Sequence, residues 1–267
     1  MKKIFFLLLL ASHAAQAQEL FVVTEPASNM PTHSLGIRLS NYLMKEKGIG
    51  KYDYHLVPEL MWGANKKLML HANMFLSDQA KAFVNEGGSL YAKYRFLSKD
   101  DVHRHFRMAA FGRYSINNSA IHQDEIELYG HNSGYQAGLI ATQLLHKVAL
   151  SSSVSYVQAV DNGAGNKLPE ALSRNAVNYS FSFGKLMLPR QYTGYGQTNL
   201  NLMVEFLGQT LGDNGKSYMD VVPSLQLILN SQARIDVGYR QQLYSSMYRS
   251  GPNGFLLRFE YLLFNIL

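Results

Sequence analysis

The sequence contains no cysteine, few charged residues and, after its first 17 residues, no long apolar run. The absence of cysteine excludes both a disulfide framework and a thiolate metal site. Charged residues make up only 16% of the chain, and no block of Lys or Arg stands out. A nucleic-acid partner is therefore not indicated. No stretch of 18 apolar residues follows Gln18, which excludes a membrane-spanning helix in that part of the chain.

The N-terminus has the features of a secretory signal peptide. Two lysines precede the apolar run 4–11, and Ala-Gln-Ala at 15–17 forms a small-x-small cleavage signal. A membrane anchor is the alternative, but the run is about half of the roughly 20 residues that a spanning helix needs. We therefore expect residues 1–17 to be a signal peptide and residues 18–31 to be an N-terminal periplasmic segment. Without the signal peptide, 23 basic residues stand against 19 acidic ones.

Tyrosine, phenylalanine and glycine are abundant, and apolar and polar residues alternate along the chain. The counts of 17 Tyr, 14 Phe and 21 Gly suit strands and turns better than helices. Stretches of about 10 residues alternate with period two and end in turn residues, as strands do. In the first stretch, Leu35, Ile37 and Leu39 share one face, whereas Arg38 and Ser40 share the other. Twelve such stretches occur between residue 34 and the C-terminus.

The last stretch shows most clearly what each face would contact. Phe255, Leu257, Phe259, Tyr261 and Leu263 form a wholly apolar face, and Arg258 and Glu260 share the opposite one. The apolar face would contact lipid, and the face with the two charged residues would contact a water-filled lumen. We expect this closing strand to pair with the first strand, so that no edge remains exposed to lipid.

The connections alternate in length, as in outer-membrane barrels, where periplasmic turns are short and extracellular loops are longer. The predicted inner turns are 62–66, 99–103, 144–146 and 230–232. The predicted outer loops are 77–88, 115–133, 158–175, 209–218 and 245–253. Only the connection 186–198 is long where a short turn is expected. An even number of strands also returns the C-terminus to the periplasm.

A soluble secreted sandwich or lipocalin-like barrel would alternate in the same way, with its apolar face inside. Strand length, strand number and aromatic residues near strand ends favour the membrane. These aromatic residues are Tyr52, Tyr54, Trp62, Tyr91, Tyr135, Tyr156 and Tyr244. We predict an all-β fold, a transmembrane antiparallel up-and-down β-barrel of about 12 strands over residues 32–267. It would lie as a monomer in the bacterial outer membrane, in contact with outer-membrane lipid.

Two segments carry a resemblance to a known class of protein. They are ELFVVTEPASNMPTHSLGIRL, residues 19–39, and PELMWGANKKLMLHANMFLS, residues 58–77. Both resemble the start of uncharacterised Gram-negative outer-membrane barrels and, more loosely, the barrel family linked to the MetA pathway of phenol degradation. The resemblance implies a channel or transporter-like barrel without an assigned substrate, and it carries over no catalytic residue. The terminal Leu267 departs from the pattern, since such barrels favour a terminal aromatic residue.

The inward face of the predicted barrel is rich in charge. Its predicted lining includes Arg38, His55, Glu59, His71, Lys93, Arg95, Arg107, Glu205, Arg234, Asp236, Arg240, Arg258 and Glu260, together with Lys67, Arg113, Lys147, Asp53 and Asp220. Ten of these residues are basic and six acidic, which favours anionic or polar solutes. We predict a channel or transporter for small polar or anionic solutes, without a cofactor. Alternatively, the charges pair across a filled lumen in a non-conducting barrel whose extracellular loops bind a partner or the envelope.

Three further sites are weaker candidates. His103 and His105 form a His-x-His pair, but two ligands do not make a metal site, and no metal is expected. Asp124, Glu125 and Glu127 lack the spacing of a calcium loop and predict a solvated loop. His131 and Ser133 lie close in sequence without a Gly-x-Ser-x-Gly elbow, so an enzyme, such as a lipid hydrolase, is not expected.

Overall fold

The computed structural model describes residues 21–47, 50–79, 82–101, 104–189, 191 and 196–266. The predicted signal peptide, His103 and Leu267 lie outside the described residues. The described residues form twelve strands, as predicted. These are β1 (Ser34–Lys45), β2 (Tyr52–Gly63), β3 (Leu68–Ser77), β4 (Val84–Asp101), β5 (Arg104–Asn117), β6 (Ser133–Leu145), β7 (Val148–Val160), β8 (Asn175–Leu188), β9 (Asn199–Leu211), β10 (Ser217–Leu229), β11 (Ala233–Ser245) and β12 (Asn253–Leu263).

Each strand pairs antiparallel with its neighbours in sequence, and β1 pairs with β12 to close the barrel. The closing register joins Leu35 to Leu263 and Lys45 to Asn253. Closure matters because hydrocarbon offers no partner to an unpaired backbone N–H or C=O group. The predicted up-and-down barrel and the predicted pairing of the last strand with the first are therefore confirmed.

No helix in the described part of the chain is long and apolar enough to cross a membrane.

The connections alternate in length as the sequence predicts. On one side, β2 and β3, β6 and β7, and β10 and β11 are joined by two to four residues, whereas 189–198 is again the long exception. On the other side lie the long loops 118–132 and 161–174. By the rule for outer-membrane barrels, the side with the short turns is periplasmic.

The outer surface is apolar, and β12 illustrates the pattern. The outward residues Phe255, Leu257, Phe259 and Tyr261 are 39–51% exposed, whereas Leu256, Arg258, Glu260 and Leu262 are only 4–6% exposed. Large exposed hydrophobic side chains occur on all twelve strands. A soluble barrel would show the reverse arrangement, so this surface fits an outer-membrane barrel.

The predicted aromatic residues near strand ends are mostly on the outer surface. Tyr52, Trp62, Tyr135, Tyr156 and Tyr244 are exposed there, and Tyr54 is half-buried. The prediction is wrong for Tyr91, which is buried. Because side chains alternate along a strand, Tyr91 faces the same way as Lys93 and points into the lumen.

Two segments of the chain lie inside the barrel. The N-terminal segment, residues 21–33, crosses the lumen before β1 begins. The inward loop, residues 118–132, enters the lumen between β5 and β6. The sequence predicted a periplasmic segment for residues 18–31, and the described part of that segment contacts lumen-facing side chains instead. The interior of a 12-stranded barrel is wider than that of an eight-stranded barrel, which side chains alone can fill. The N-terminal segment and the inward loop occupy the additional space.

We expect charge on the outer face to destabilise the barrel according to its depth. Leu225→Arg, near the middle of β10, should lower the free energy of unfolding in phospholipid vesicles by about 2–4 kcal/mol. Met219→Arg, near the end of the same strand, is the matched control and should cost about 0–1 kcal/mol. Equal effects at the two positions would contradict a lipid-facing surface.

Candidate functional site

The candidate site is a cavity of about 310 Å³ between the N-terminal segment and the inward loop. Strand residues from around the barrel form its wall. Its charged and aromatic lining includes Glu25, Arg38, Tyr42, Asp53, His55, Glu59, Phe75, Tyr91, Phe111, Arg113, Glu125, Glu127, Tyr129, His131, Tyr179, Tyr218, Arg240 and Arg258. The lining therefore combines flat apolar surfaces with charges of both signs.

Glu205 on β9 holds the start of the N-terminal segment. Its carboxylate accepts hydrogen bonds from the backbone N–H groups of Val22, Val23 and Thr24 at 2.8, 2.8 and 2.7 Å. The Thr24 hydroxyl donates a fourth bond at 2.7 Å. A carboxylate that is fully buried needs such donors, because an isolated buried charge is very costly. Glu205 thus links the position of the N-terminal segment to the barrel wall.

Two basic inward side chains also bind the backbone of the N-terminal segment. The Lys93 ammonium donates to the carbonyl oxygens of Pro26 and Ser28 at 2.7 and 2.8 Å. Arg258 donates to the carbonyl oxygen of Val22. The segment meets the end of β2 at Gly63, where an added Cβ would lie 2.1 Å from the Pro31 carbonyl oxygen, so only glycine permits this approach.

A row of alternating charges crosses the seam where the barrel closes. Strand register places Arg38 directly opposite both Glu59 and Glu260, and Glu260 opposite Arg234. The side chains pair accordingly, with N–O distances of 3.0 Å for Arg38–Glu59, 2.7 Å for Arg38–Glu260 and 2.9 Å for Arg234–Glu260. Glu25 of the N-terminal segment adds a third carboxylate to Arg38 at 2.9 Å. Register therefore determines this network.

Two arginines bind the inward loop through Glu125. Arg249 donates to Glu125 at 2.7 Å and to both oxygens of Asp220 at 2.7 Å, and its guanidinium lies 3.7 Å from the centroid of the Tyr218 ring. Arg240 donates to Asp220 at 2.6 Å and to Glu125 at 3.2 Å. Burial opposes ionisation of Glu125, but Arg249 and Arg240 lower its pKa to about 2. Glu125 is therefore a carboxylate at any physiological pH.

An apolar cluster supports the same loop from the extracellular side. Ile126 and Leu128 pack with Leu168 of the loop 161–174 and with inward residues near strand ends. Gln209 on β9 also exchanges two hydrogen bonds with the backbone of Ile126, at 2.9 and 2.8 Å. The prediction that the acidic run forms a solvated loop is thus wrong. Because the arginines that bind it are distant in sequence, the run alone gave no sign of this.

Glu127 and His131 face each other across the inward loop, with 3.7 Å between Oε2 and Nε2. Burial and the neighbouring Glu125 charge raise the pKa of Glu127 to about 7. Burial likewise lowers the pKa of His131 to about 4. The pair is therefore a neutral histidine beside a partly protonated carboxyl near pH 7, and not an ion pair. The 30% of the Glu127 side chain that is accessible faces the cavity.

Arg113 and Arg258 differ from the other arginines in the cavity wall. Neither has a carboxylate within 4.0 Å among the described residues. Arg113 donates to the Ser89 hydroxyl at 3.0 Å and lies 5.1 and 4.9 Å from the ring centroids of Tyr91 and Tyr129. Arg258 donates to the Ser40 hydroxyl at 2.9 Å. These two arginines of the wall thus form no direct ion pair with a carboxylate of the described chain.

The predicted lumen residues occupy three kinds of position. Arg38, Glu59, His71, Lys93, Arg107, Glu205, Arg234, Asp236, Arg258 and Glu260 are buried inside the barrel. His55 and Arg240 are half-buried in the cavity wall. Arg95 is half-buried at the periplasmic end, where it donates to the carbonyl oxygen of Lys66 at 2.7 Å. The cavity itself therefore contains only some of them.

Several residues that line the cavity or hold its inner segments were not indicated by strand periodicity. Glu25 and Tyr129 belong to the N-terminal segment and the inward loop, and Arg249 reaches the inward loop from the loop 246–252. Periodicity assigns faces only within strands, so it gives no information about segments that fold inward. The carboxylates of Glu25, Glu125 and Glu127 also offset the excess of basic over acidic residues that was predicted for the inward faces of the strands.

The weaker candidates do not assemble into sites. His105 binds Asp100 at 2.8 Å, and no group of three or more metal-ligating residues lies together in the described ranges. The Ser133 hydroxyl donates to the Asn117 carbonyl at 3.2 Å, while the His131 ring lies against that of His55, with 5.3 Å between centroids. Ser133 and His131 therefore have separate partners.

No protein-family model matches the chain, and no curated protein matches its sequence. The crystal structure of an outer-membrane channel from Pseudomonas putida F1 has a similar fold, with a TM-score of 0.58 at 11% identity over 91% of this chain and 100% of that one. Pseudomonas aeruginosa OprD matches with a TM-score of 0.39 at 9% identity, over 91% of this chain and 99% of that one. Salmonella typhi OmpF also gives 0.39 at 9% identity, over 86% and 97%. The predicted resemblance to Gram-negative outer-membrane barrels is confirmed for the fold.

We expect Glu205→Gln to release the start of the N-terminal segment. The amide keeps only one acceptor oxygen and loses the charge, and each charge-assisted bond contributes about 1.5–3 kcal/mol. Hydrogen exchange at the amides of Val22, Val23 and Thr24 should accelerate by about tenfold or more. Glu170→Gln, which changes an exposed loop carboxylate, is the control. Unchanged exchange in Glu205→Gln would contradict this role.

Glu127 should make stability depend on pH. A carboxyl whose pKa rises from 4.5 to about 7 on folding contributes stability that is present below pH 4.5 and is lost as pH rises through 7. The wild type should therefore lose stability relative to Glu127→Gln between about pH 4.5 and 7, with no further change above that range. Equilibrium unfolding of both proteins across this range measures the difference. Parallel curves would refute the prediction, and Glu170→Gln provides the exposed-carboxyl control.

Proposed function

We infer that the protein is an outer-membrane channel for small polar or anionic solutes, closed in the described state by its N-terminal segment and inward loop. One observation carries the proposal. A cavity with a charged and aromatic lining lies inside a lipid-facing barrel, between two segments that belong to the chain itself. A barrel with a purely structural role does not require an internal cavity. A channel that opens by movement of its inner segments does require one.

The proposed preference for anions depends on fewer unpaired basic residues than the alternation along the strands predicts. Ten basic residues against six acidic ones gave the expectation, but most of these groups pair within the lumen. Among the arginines of the cavity wall, Arg113 and Arg258 are the two without a carboxylate within 4.0 Å in the described part of the chain. Positive groups in a pore lining lower the energy of an anion there relative to a cation.

The fold similarity to a channel from Pseudomonas putida F1 agrees with a channel role. The main alternative is a non-conducting barrel whose extracellular loops bind a partner or the envelope. The filled lumen suits that alternative as long as the two segments stay in place. The two proposals therefore differ in whether these segments move.

Single-channel recording in planar bilayers tests the proposal. We expect rare, small openings from the wild type, and larger and more frequent ones from Glu205→Gln and Arg249→Gln, which weaken the hold on the N-terminal segment and the inward loop. In a KCl gradient, the reversal potential should indicate a preference for chloride. Glu170→Gln should behave as the wild type does. Silence of all four proteins, together with accelerated exchange in Glu205→Gln, would support the non-conducting alternative.

A further inference from the structure

Arg113 is a positive charge in the cavity wall whose neighbours do not neutralise it. Its contacts are the Ser89 hydroxyl and the faces of Tyr91 and Tyr129. Ring faces attract a cation, but only by about 0.5–2 kcal/mol, and they leave its charge intact. A half-buried guanidinium of this kind favours an anion from outside the chain.

The carboxylates around the cavity are already engaged. Arg38 binds Glu25 and Glu59, and Arg240 binds Glu125. Asp53 lies 3.5 Å from the Lys51 ammonium. Glu127 is partly protonated near pH 7 because its pKa is about 7. Arg113 and Arg258 are therefore the arginines of the described lining that no carboxylate binds directly.

Aromatic rings surround Arg113. Tyr91 packs on Phe111, with 5.6 Å between ring centroids. Tyr129 packs edge-on against Phe75 at 5.8 Å and against Tyr42 at 6.4 Å. All five rings line the cavity. They form flat apolar walls next to a cation, which suits a ligand that has an anionic end and a flat apolar body.

Two more observations limit the ligand. A cavity of about 310 Å³ lies at the small end of the roughly 300–1,000 Å³ found for ligand pockets. The buried Tyr91 hydroxyl has no hydrogen-bond partner in the described parts of the chain, so a donor in the wall remains unsatisfied. A planar carboxylate matches a guanidinium, which can donate two parallel hydrogen bonds.

We propose that this cavity binds small organic carboxylates with a flat apolar body, the carboxylate on Arg113 and the body between Tyr91, Tyr129 and Phe111. Arg258 adds a second positive charge to the same space. The proposal rests on the channel function, because a solute that crosses the barrel would occupy this cavity on its way. It narrows the solute from any small anion to an amphipathic one.

Calorimetric titration of the full protein in detergent tests the proposal with three probes. Benzoate carries both features, benzyl alcohol has the ring without the charge, and acetate has the charge without the ring. We expect benzoate to bind at least about tenfold more tightly than either of the others. Equal affinities for benzoate and benzyl alcohol would overturn the proposal, and this comparison needs no variant.

Variants then identify the residue. Arg113→Gln should weaken benzoate binding by about tenfold or more and leave benzyl alcohol unaffected, while Arg113→Lys should retain part of the affinity. Arg104→Gln, an exposed position on the same strand, is the matched control. Full benzoate affinity in Arg113→Gln would refute the role of this residue. Benzoate binding without conductance would contradict the channel alone, whereas conductance without benzoate preference would contradict the binding site alone.

Discussion

The structure depends on the requirement that every backbone hydrogen-bonding group be paired within the membrane. A closed ring of antiparallel strands satisfies this requirement. Because side chains alternate along a strand, every second residue then points into the lumen. With twelve strands, that lumen is wider than its side chains can fill. Polar inward residues left facing an unfilled space would need water or a partner. The chain provides partners from its own N-terminal segment and inward loop.

The charges inside the barrel follow from strand register more than from local sequence. Arg258 and Glu260 are two residues apart on one face, yet Glu260 pairs with Arg38 and Arg234, which lie opposite it on the neighbouring strands. Arg258 instead binds Ser40 and the N-terminal segment. Two charges on one face of a strand therefore do not always pair: Arg258 and Glu260 have other partners, whereas Arg234 and Asp236 lie 3.0 Å apart. Glu260 pairs across strands because directly opposed residues on adjacent strands approach closely.

The two inner segments are held by different kinds of interaction. The N-terminal segment depends on hydrogen bonds from its backbone to Glu205 and from Lys93 to its carbonyl groups. The inward loop depends on the Glu125–Arg249 pair and on apolar packing around Ile126. Because different groups of the barrel hold them, we expect that one can move without the other. The cavity between them is where the unneutralised Arg113 lies, so movement of either segment would change access to it.

The sequence by itself determined the strands, their outward and inward faces, the short and long connections and the closure of the last strand on the first. These features depend on alternation and turn residues, which are local. It also indicated most inward charges, from Arg38 to Glu260. Only the tertiary structure decided that residues 21–33 and 118–132 lie in the lumen and that Arg113 forms no ion pair with a carboxylate of the described chain. These outcomes depend on contacts between residues that are far apart in sequence, such as Val22 and Glu205, which are 183 positions apart, and no local pattern encodes them.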